Sequence, residues 1–533
     1  MYRKILLFAI ALSTSHFLPG QKLTWMPKGG EAQEKFASPR LGAGYVRYLS
    51  VWDDKGIIAH DLNWLYVIDR QSLAVKSKFK REDALAKKEE YVGHLRTKDG
   101  LGALVVSPEG SGKELEFKIK FVPIGGAGFG TPKELFSVPK GRFGNILQIA
   151  DHITVSEDLE RVLVLVPDGE ELELRVYDGS FQQLYSKAVP MVFAAGGKRH
   201  SIMGFRAFVD GKGNACLSGL VEEQGSKEEG WQRYSPFFLG YNREKDKVAH
   251  HVFEVGGGGA AGGKAYLWSD KQKLELSPRT GKGLDNECLV NLGQKLRFGH
   301  NPATGVHIIG GLFDSPDGGG FFTVQYDPVE DLVLPLKRHK IPAGIKREIE
   351  QKSFEGKEAK GWLFLQDILP KEDGSFVVLL EVDESVYRQL STSSPTISWL
   401  KCHDIIYQNI DRDNSATFSG SIHKKQEARN EKNGSFAASC DGSTVHIVFN
   451  TYDGKSENDL AWYAIDANGR ATEKGRLPIG LRLRPVPYKL DPESPSNRRK
   501  LGTTQPVQVG KNEILAMGHY VDDPTMVLIN FEE

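Results

Sequence analysis

Four cysteines in 533 residues are few, and Cys216, Cys288, Cys402 and Cys440 stand far apart. No CxxC pair and no Cys/His spacing occurs, which excludes a zinc finger or ribbon. Buried thiols are therefore expected; an oxidising compartment would allow three pairings, of which Cys402–Cys440 joins neighbouring segments. Charge excess is also lacking, with 69 Lys plus Arg against 69 Asp plus Glu. No global field thus favours nucleic acid or an anionic membrane. Beyond residue 20 no apolar run is long enough to span a bilayer as a helix. The motifs HExxH and GxSxG are missing, and no SxxK catalytic context appears.

The first 20 residues read differently. Arg3 and Lys4 precede the apolar run Ile5 to Leu12, and polar Ser13 to His16 follow. That order is a secretory signal peptide, with cleavage possible after Ser13, Ser15 or Gly20. The chain is therefore expected to be exported, to the periplasm or the extracellular space, as a monomer.

What the chain has in quantity is glycine, 58 residues, and phenylalanine, 27 residues, as many turns between packed strands require. The stretch Ser156 to Lys187 is the clearest unit. Arg161-Val-Leu-Val-Leu-Val166 is apolar throughout, as a strand buried on both faces would be. Glu171-Leu-Glu-Leu-Arg-Val-Tyr177 alternates, as a half-buried strand does. Asp168-Gly169 and Asp178-Gly179 supply the positive φ of tight hairpin turns. Similar units recur at a spacing of roughly 45–70 residues, the period of four-stranded β-propeller blades.

The expected fold is all-β, a propeller of antiparallel four-stranded blades spanning 21–533 as one domain. Eight blades are counted, with seven as the alternative. The last repeat lacks an outer strand, and Lys22-Leu-Thr-Trp-Met26 could supply it and close the ring. A Gly-rich insertion near 256–291 and a short surface helix near 342–360 interrupt the pattern. Stacked sandwiches or several small β domains are the alternative architectures.

Candidate motifs fail on their own chemistry. Gly258 to Lys264 has GxxxxGK spacing, but Ala265 replaces the magnesium-binding hydroxyl and no helix follows to bind phosphate. Gly125 to Gly130 misses GxGxxG at Thr131 and reads as a long hairpin loop. Asp411 to Ser415 begins like a calcium loop, yet Ala416 and Ile422 occupy its key sixth and twelfth positions. His250 and His251, with Glu254 nearby, would point to opposite faces of a strand rather than share a metal. Asp53, Asp54, Asp404 and Asp411 read mostly as turn residues. Trp52, Trp64, Trp231, Trp268, Trp362 and Trp462 read as packing between blades, with a sugar-stacking channel mouth as the alternative.

Between residues 361 and 450 the chain resembles a known group. Asp373 to Val378, Asp404 to Asp411, Ile422-His-Lys-Lys-Gln426, Ser435 to Ala437 and Val445 to Asn450 carry the likeness. They are similar to exported bacterial propeller-type proteins without an assigned activity. The likeness spans about two blades and implies export and a repeated β fold, with no catalytic residues to carry over.

No residue is assigned a catalytic role, and neither cofactor nor metal is expected. The functional expectation is a binding or scaffolding module for a protein or glycan partner. Its rival is a hydrolase or lyase acting on extracellular polymer at the central channel, which would gather acids or histidines there.

Overall fold

The stretch 156–190 shows how the molecule is built. Strands Arg161–Asp168, Glu171–Asp178 and Gln183–Pro190 pair in sequence, with Arg161 opposite Asp178. Val162, Val164 and Val166 pack into one apolar layer, and Leu163 and Leu165 pack into another on the opposite side. A strand flanked on both faces must be apolar at every position, which explains the unbroken run. Gly169 adopts φ 65°, as its hairpin turn demands. At the next turn the left-handed residue is Phe181, φ 65°, and not Gly179. There Asp178 sets the turn by accepting backbone N–H bonds from Ser180 and Gln182, at 3.0 and 2.8 Å.

The computed structural model describes residues 22–25, 47–53, 56–60, 64–70, 72–73, 75–98, 100–109, 116–125, 128–139, 152–223, 234–253, 296–313, 320–353, 362–389, 396–424, 426–428, 436–451, 459–477, 481–483, 507–510, 513–520 and 523–531. Among these the strands form eight antiparallel sheets of four or five strands, here numbered in chain order. Their first main strands are Arg47–Asp53, Glu90–Thr97, Ile153–Val155, Lys198–Val209, Arg297–His300, Trp362–Pro370, Ala437–Cys440 and Val507–Gly510. In sheet 4 a short strand, Val192–Ala195, precedes Lys198–Val209 and pairs with it.

Consecutive sheets meet face to face, and the circuit can be followed round. Apolar layers join sheets 1 and 2, 2 and 3, 3 and 4, 4 and 5, 5 and 6, and 6 and 7. Sheet 7 meets the C-terminal segment through His446, whose ring stacks on Phe531 at 4.6 Å. Arg70 of sheet 1 pairs with Glu513 of sheet 8, which completes the ring. Lys22–Trp25 then adds to the last sheet, Lys22 opposite Asn530 and Trp25 opposite Val527. The chain is a β-propeller whose N-terminal strand closes the final sheet. Each Leu or Val buried between sheets contributes about 1.5–3 kcal/mol, so these layers dominate stability.

Polar contacts reinforce the layers. Tyr185 Oη donates to the Gly213 carbonyl at 2.6 Å, from sheet 3 to sheet 4, and Tyr407 Oη to that of Gly469 at 2.9 Å, from sheet 6 to sheet 7. The surface helix is Ala343–Ser353, named α1, and buries Ile345 and Ile349 against sheets 5 and 6. Cys216, Cys402 and Cys440 are separate thiols, so the Cys402–Cys440 bridge is not formed. The Gly-rich segment 256–291, the GxxxxGK match, Cys288, Glu254 and residues 1–20 lie outside the described residues.

Candidate functional site

Sheet 6 departs from its neighbours. Its second and third strands, Phe376–Gln389 and Thr396–Ile410, have 14 and 15 residues, against nine in Trp362–Pro370. The first strand stops pairing at Trp362 opposite Asp383, and the fourth at Ile422 opposite Ile405. Beyond those points the two long strands pair with one another from Glu384–Lys401 to Gln389–Thr396. Among the described residues only Gln426–Ala428 joins them, along Leu400 to Cys402. A two-stranded arm thus projects past the four-stranded body at one end of the ring.

At the base of that arm lies a polar cluster that spacing did not reveal. Asp404 is a mid-strand residue, fully buried, and not a turn residue. Its carboxylate contacts His423 Nδ1 at 2.8 Å and accepts the backbone N–H of Lys424 at 3.1 Å. The His423 side chain keeps 46% of its surface exposed. Lys424 is enclosed and pairs with Glu381, while Gln426 Oε1 accepts from its ammonium at 3.0 Å. Its ammonium also sits 5.7 and 5.9 Å from the Phe436 and Phe449 ring centroids. Gln366 Nε2 donates to Glu381 at 2.7 Å, and Gln426 Nε2 donates to the Asn450 carbonyl of sheet 7. This network ties sheet 6 to sheet 7. Its chemistry is that of a latch, since the Lys424–Glu381 pair has no exposed side-chain surface.

Gln366 links the latch to the ring axis. Its carbonyl accepts from Arg297 Nε at 2.8 Å, and Arg297 Nη1 also bonds the Leu296 carbonyl at 3.1 Å. Burial, reinforced by the positive charge of Arg206, pulls the Arg297 guanidinium down to about 10. Asp367, next on the strand, accepts its neighbour Ile368 N–H at 2.9 Å. Burial pushes its carboxyl up to about 6, against the attraction of Arg297 and Arg206. The Arg206 guanidinium is exposed and lies 5.5 Å from the Phe298 ring centroid. Three consecutive first strands therefore bring two guanidiniums and one carboxyl together at mid-depth.

The opposite end of the axis is bridged. His300 Nδ1 meets Glu157 of sheet 3 at 3.0 Å, reaching past sheet 4. The His300 ring packs, tilted, against His307 at 4.6 Å between centroids, and His307 against Phe208 at 4.9 Å. Burial holds the His307 imidazole well below its ordinary range. The turn after a first strand and the turn after a second lie at opposite ends of a sheet, so this bridge is remote from the arm.

Other sequence candidates find ordinary places. His250 contacts the Ala194 carbonyl at 3.1 Å on one side of its strand, and His251 meets Asp331 at 3.0 Å on the other. Asp411 closes a turn by accepting from Asp413 and Ser415 N–H, at 3.0 and 2.7 Å. Gly125 pairs with Gly128, making that segment a tight hairpin and not a long loop. Trp462 is buried against Phe531 at 5.4 Å, and Trp64 is half-buried with the Lys78 ammonium 4.0 Å over its ring. The side chains of Trp52, Trp231, Trp268, Trp362, Asp53 and Asp54 lie outside the described residues. Among the described residues no three His, Cys, Asp or Glu side chains gather as metal ligands would.

No family model matches the chain, and no curated protein matches it. Among solved structures it is similar to the Dos1 propeller, with a TM-score of 0.39, 8% identity and 97% of each chain covered. It is similar to the WD40 domain of SCAP from fission yeast, with a TM-score of 0.37, 10% identity and coverage of 94% of this chain and 99% of that one. It also matches a member of the DUF4221 family from Bacteroides vulgatus, with a TM-score of 0.29, 9% identity and coverage of 84% and 96%.

Proposed function

We propose that the chain is an exported binding or scaffolding module, which engages a protein or glycan partner through the arm-bearing end of its ring. The observation that carries this reading is the arm itself. Among the described residues, strands running past their sheet leave backbone donors and acceptors along Glu384 to Gln389 and along Thr396 to Trp399, a surface on which an extended partner can pair. The buried latch at its base fixes the arm on a rigid support, as recognition requires. Capture from envelope extract and a glycan panel tests it, using the chain from Gln21 onward beside a variant whose segment 386–398 is replaced by a short turn. One partner retained by the first and lost by the second supports the reading. Equal capture by both refutes it.

One observation favours the rival reading, a hydrolase or lyase of extracellular polymer. Asp367 stands at the ring axis as a carboxyl that titrates near pH 6, within the range of a general acid. Shortening of a polymer that stops in the Asp367→Asn variant would replace the binding reading with this one.

A further inference from the structure

We propose that the arm edge from Glu384 to Gln389 pairs with the same edge of a second copy of this chain. This rests on the reading of the arm as a pairing surface, and it names the occupant of one edge.

The first support is the free length. Along Glu384 to Gln389 the second strand of sheet 6 pairs on one side with Lys401 to Thr396, in unbroken register. On its other side the first strand ends at Trp362 opposite Asp383, and among the described residues no strand continues. The run reads Glu-Ser-Val-Tyr-Arg-Gln, without the proline, lysine or glycine that blunts or bends a lone edge. The register shift between Glu381 and Asp383 lies before it, so the edge is straight where it is free.

The second support is charge complementarity. Two antiparallel copies with a twofold at Val386 place Val386 opposite the partner's Val386 and Ser385 opposite the partner's Tyr387. The same register places Glu384 opposite the partner's Arg388, and symmetry repeats that pair. Opposite charges directly across a strand pair stabilise it, and like charges oppose it. Within its own chain Glu384 is opposite Lys401, and Arg388 is opposite Ile397. Glu384 thus stands between two cations in the pair of chains, and Arg388 gains the opposite charge that Ile397 does not supply. Two joined arms form one four-stranded sheet, a more stable unit than a two-stranded hairpin alone. The paired run is shorter than a standard interface, so the dimer is concentration-dependent.

Sedimentation equilibrium of the full chain over a concentration series tests the pairing. A monomer–dimer equilibrium is expected, weakened about tenfold in Arg388→Glu, where both symmetric pairs set like charges against each other. Glu384→Arg is expected to be weakened likewise, and an equimolar mixture of the two variants to regain native association. That recovery requires both chains, so a folding defect in either variant cannot imitate it. A full chain that stays monomeric throughout overturns the proposal. Unchanged association in Arg388→Glu overturns it too, as does a mixture that associates no better than its components. A monomer that still captures an envelope protein through its arm overturns this pairing and leaves the binding reading standing.

Discussion

Asp367 withholds stability from the ring once it ionises. Its carboxyl moves from 3.8 in the open chain to about 6 in the fold, and burial is the largest cause. The folded state therefore holds this proton more tightly than the unfolded state does. Between roughly pH 4 and pH 6 the unfolded chain releases the proton first, so stability falls as pH rises through that window and is level above it. A difference of about two pH units corresponds to about 3 kcal/mol. Asp367 keeps some exposed surface at the axis, and solvent screening reduces this to about 1–3 kcal/mol.

Asn at position 367 has the same shape, can still accept the Ile368 N–H, and does not ionise. Asp367→Asn is thus expected to stabilise the protein by about 1–3 kcal/mol at pH 8 and to change little at pH 4. Urea unfolding of both proteins at the two pH values reads this difference directly. A variant less stable than the native chain at pH 8 would refute the reasoning, because attraction to Arg297 and Arg206 would then outweigh burial.

Three further outcomes follow from the packing. Lys424→Ala leaves the Glu381 carboxylate buried without its cation and should cost about 3–5 kcal/mol in urea unfolding, whereas Glu381→Met with Lys424→Met should recover most of that. Gly240→Ala drives a Cβ into Tyr326 Oη and should lower stability by about 1–3 kcal/mol, with Gly240→Ala/Tyr326→Phe partly restoring it. Removing residues 21–26 exposes the edge of Asp523–Asn530, so faster amide exchange is expected in that strand and slow exchange retained in Arg161–Asp168.

The fold was largely legible because each strand buries its side chains by local rules. The unbroken run from Val162 to Val166 announced two flanking sheets, and Lys22–Trp25 was legible as the strand that the last repeat lacked. Turn detail was harder. Asp178-Gly179 suggested a positive φ at the glycine, but the side-chain oxygen of Asp178 set a turn that put Phe181 there, where its ring also packs 5.2 Å from Phe121. The axial set was hidden, since Arg206, Arg297 and Asp367 come from three sheets and no spacing rule joins them. Asp404 reads as a turn residue because short polar side chains favour turns, whereas the strand Thr396–Ile410 runs straight through it. Its alternation with His403 and Ile405 gave no sign that a buried carboxylate would hold His423. A stronger signal was available in Ile422-His-Lys-Lys-Gln426, whose alternate charged and amide groups follow a strand end and turn back into the sheet.

Amide hydrogen exchange of the full chain, with and without the ligand it captures, tests the central claim most directly. Binding through the arm predicts slowed exchange in residues 383–401 and little change in the turn that carries Glu157. Slowed exchange confined to other sheets, with 383–401 unchanged, would contradict the account.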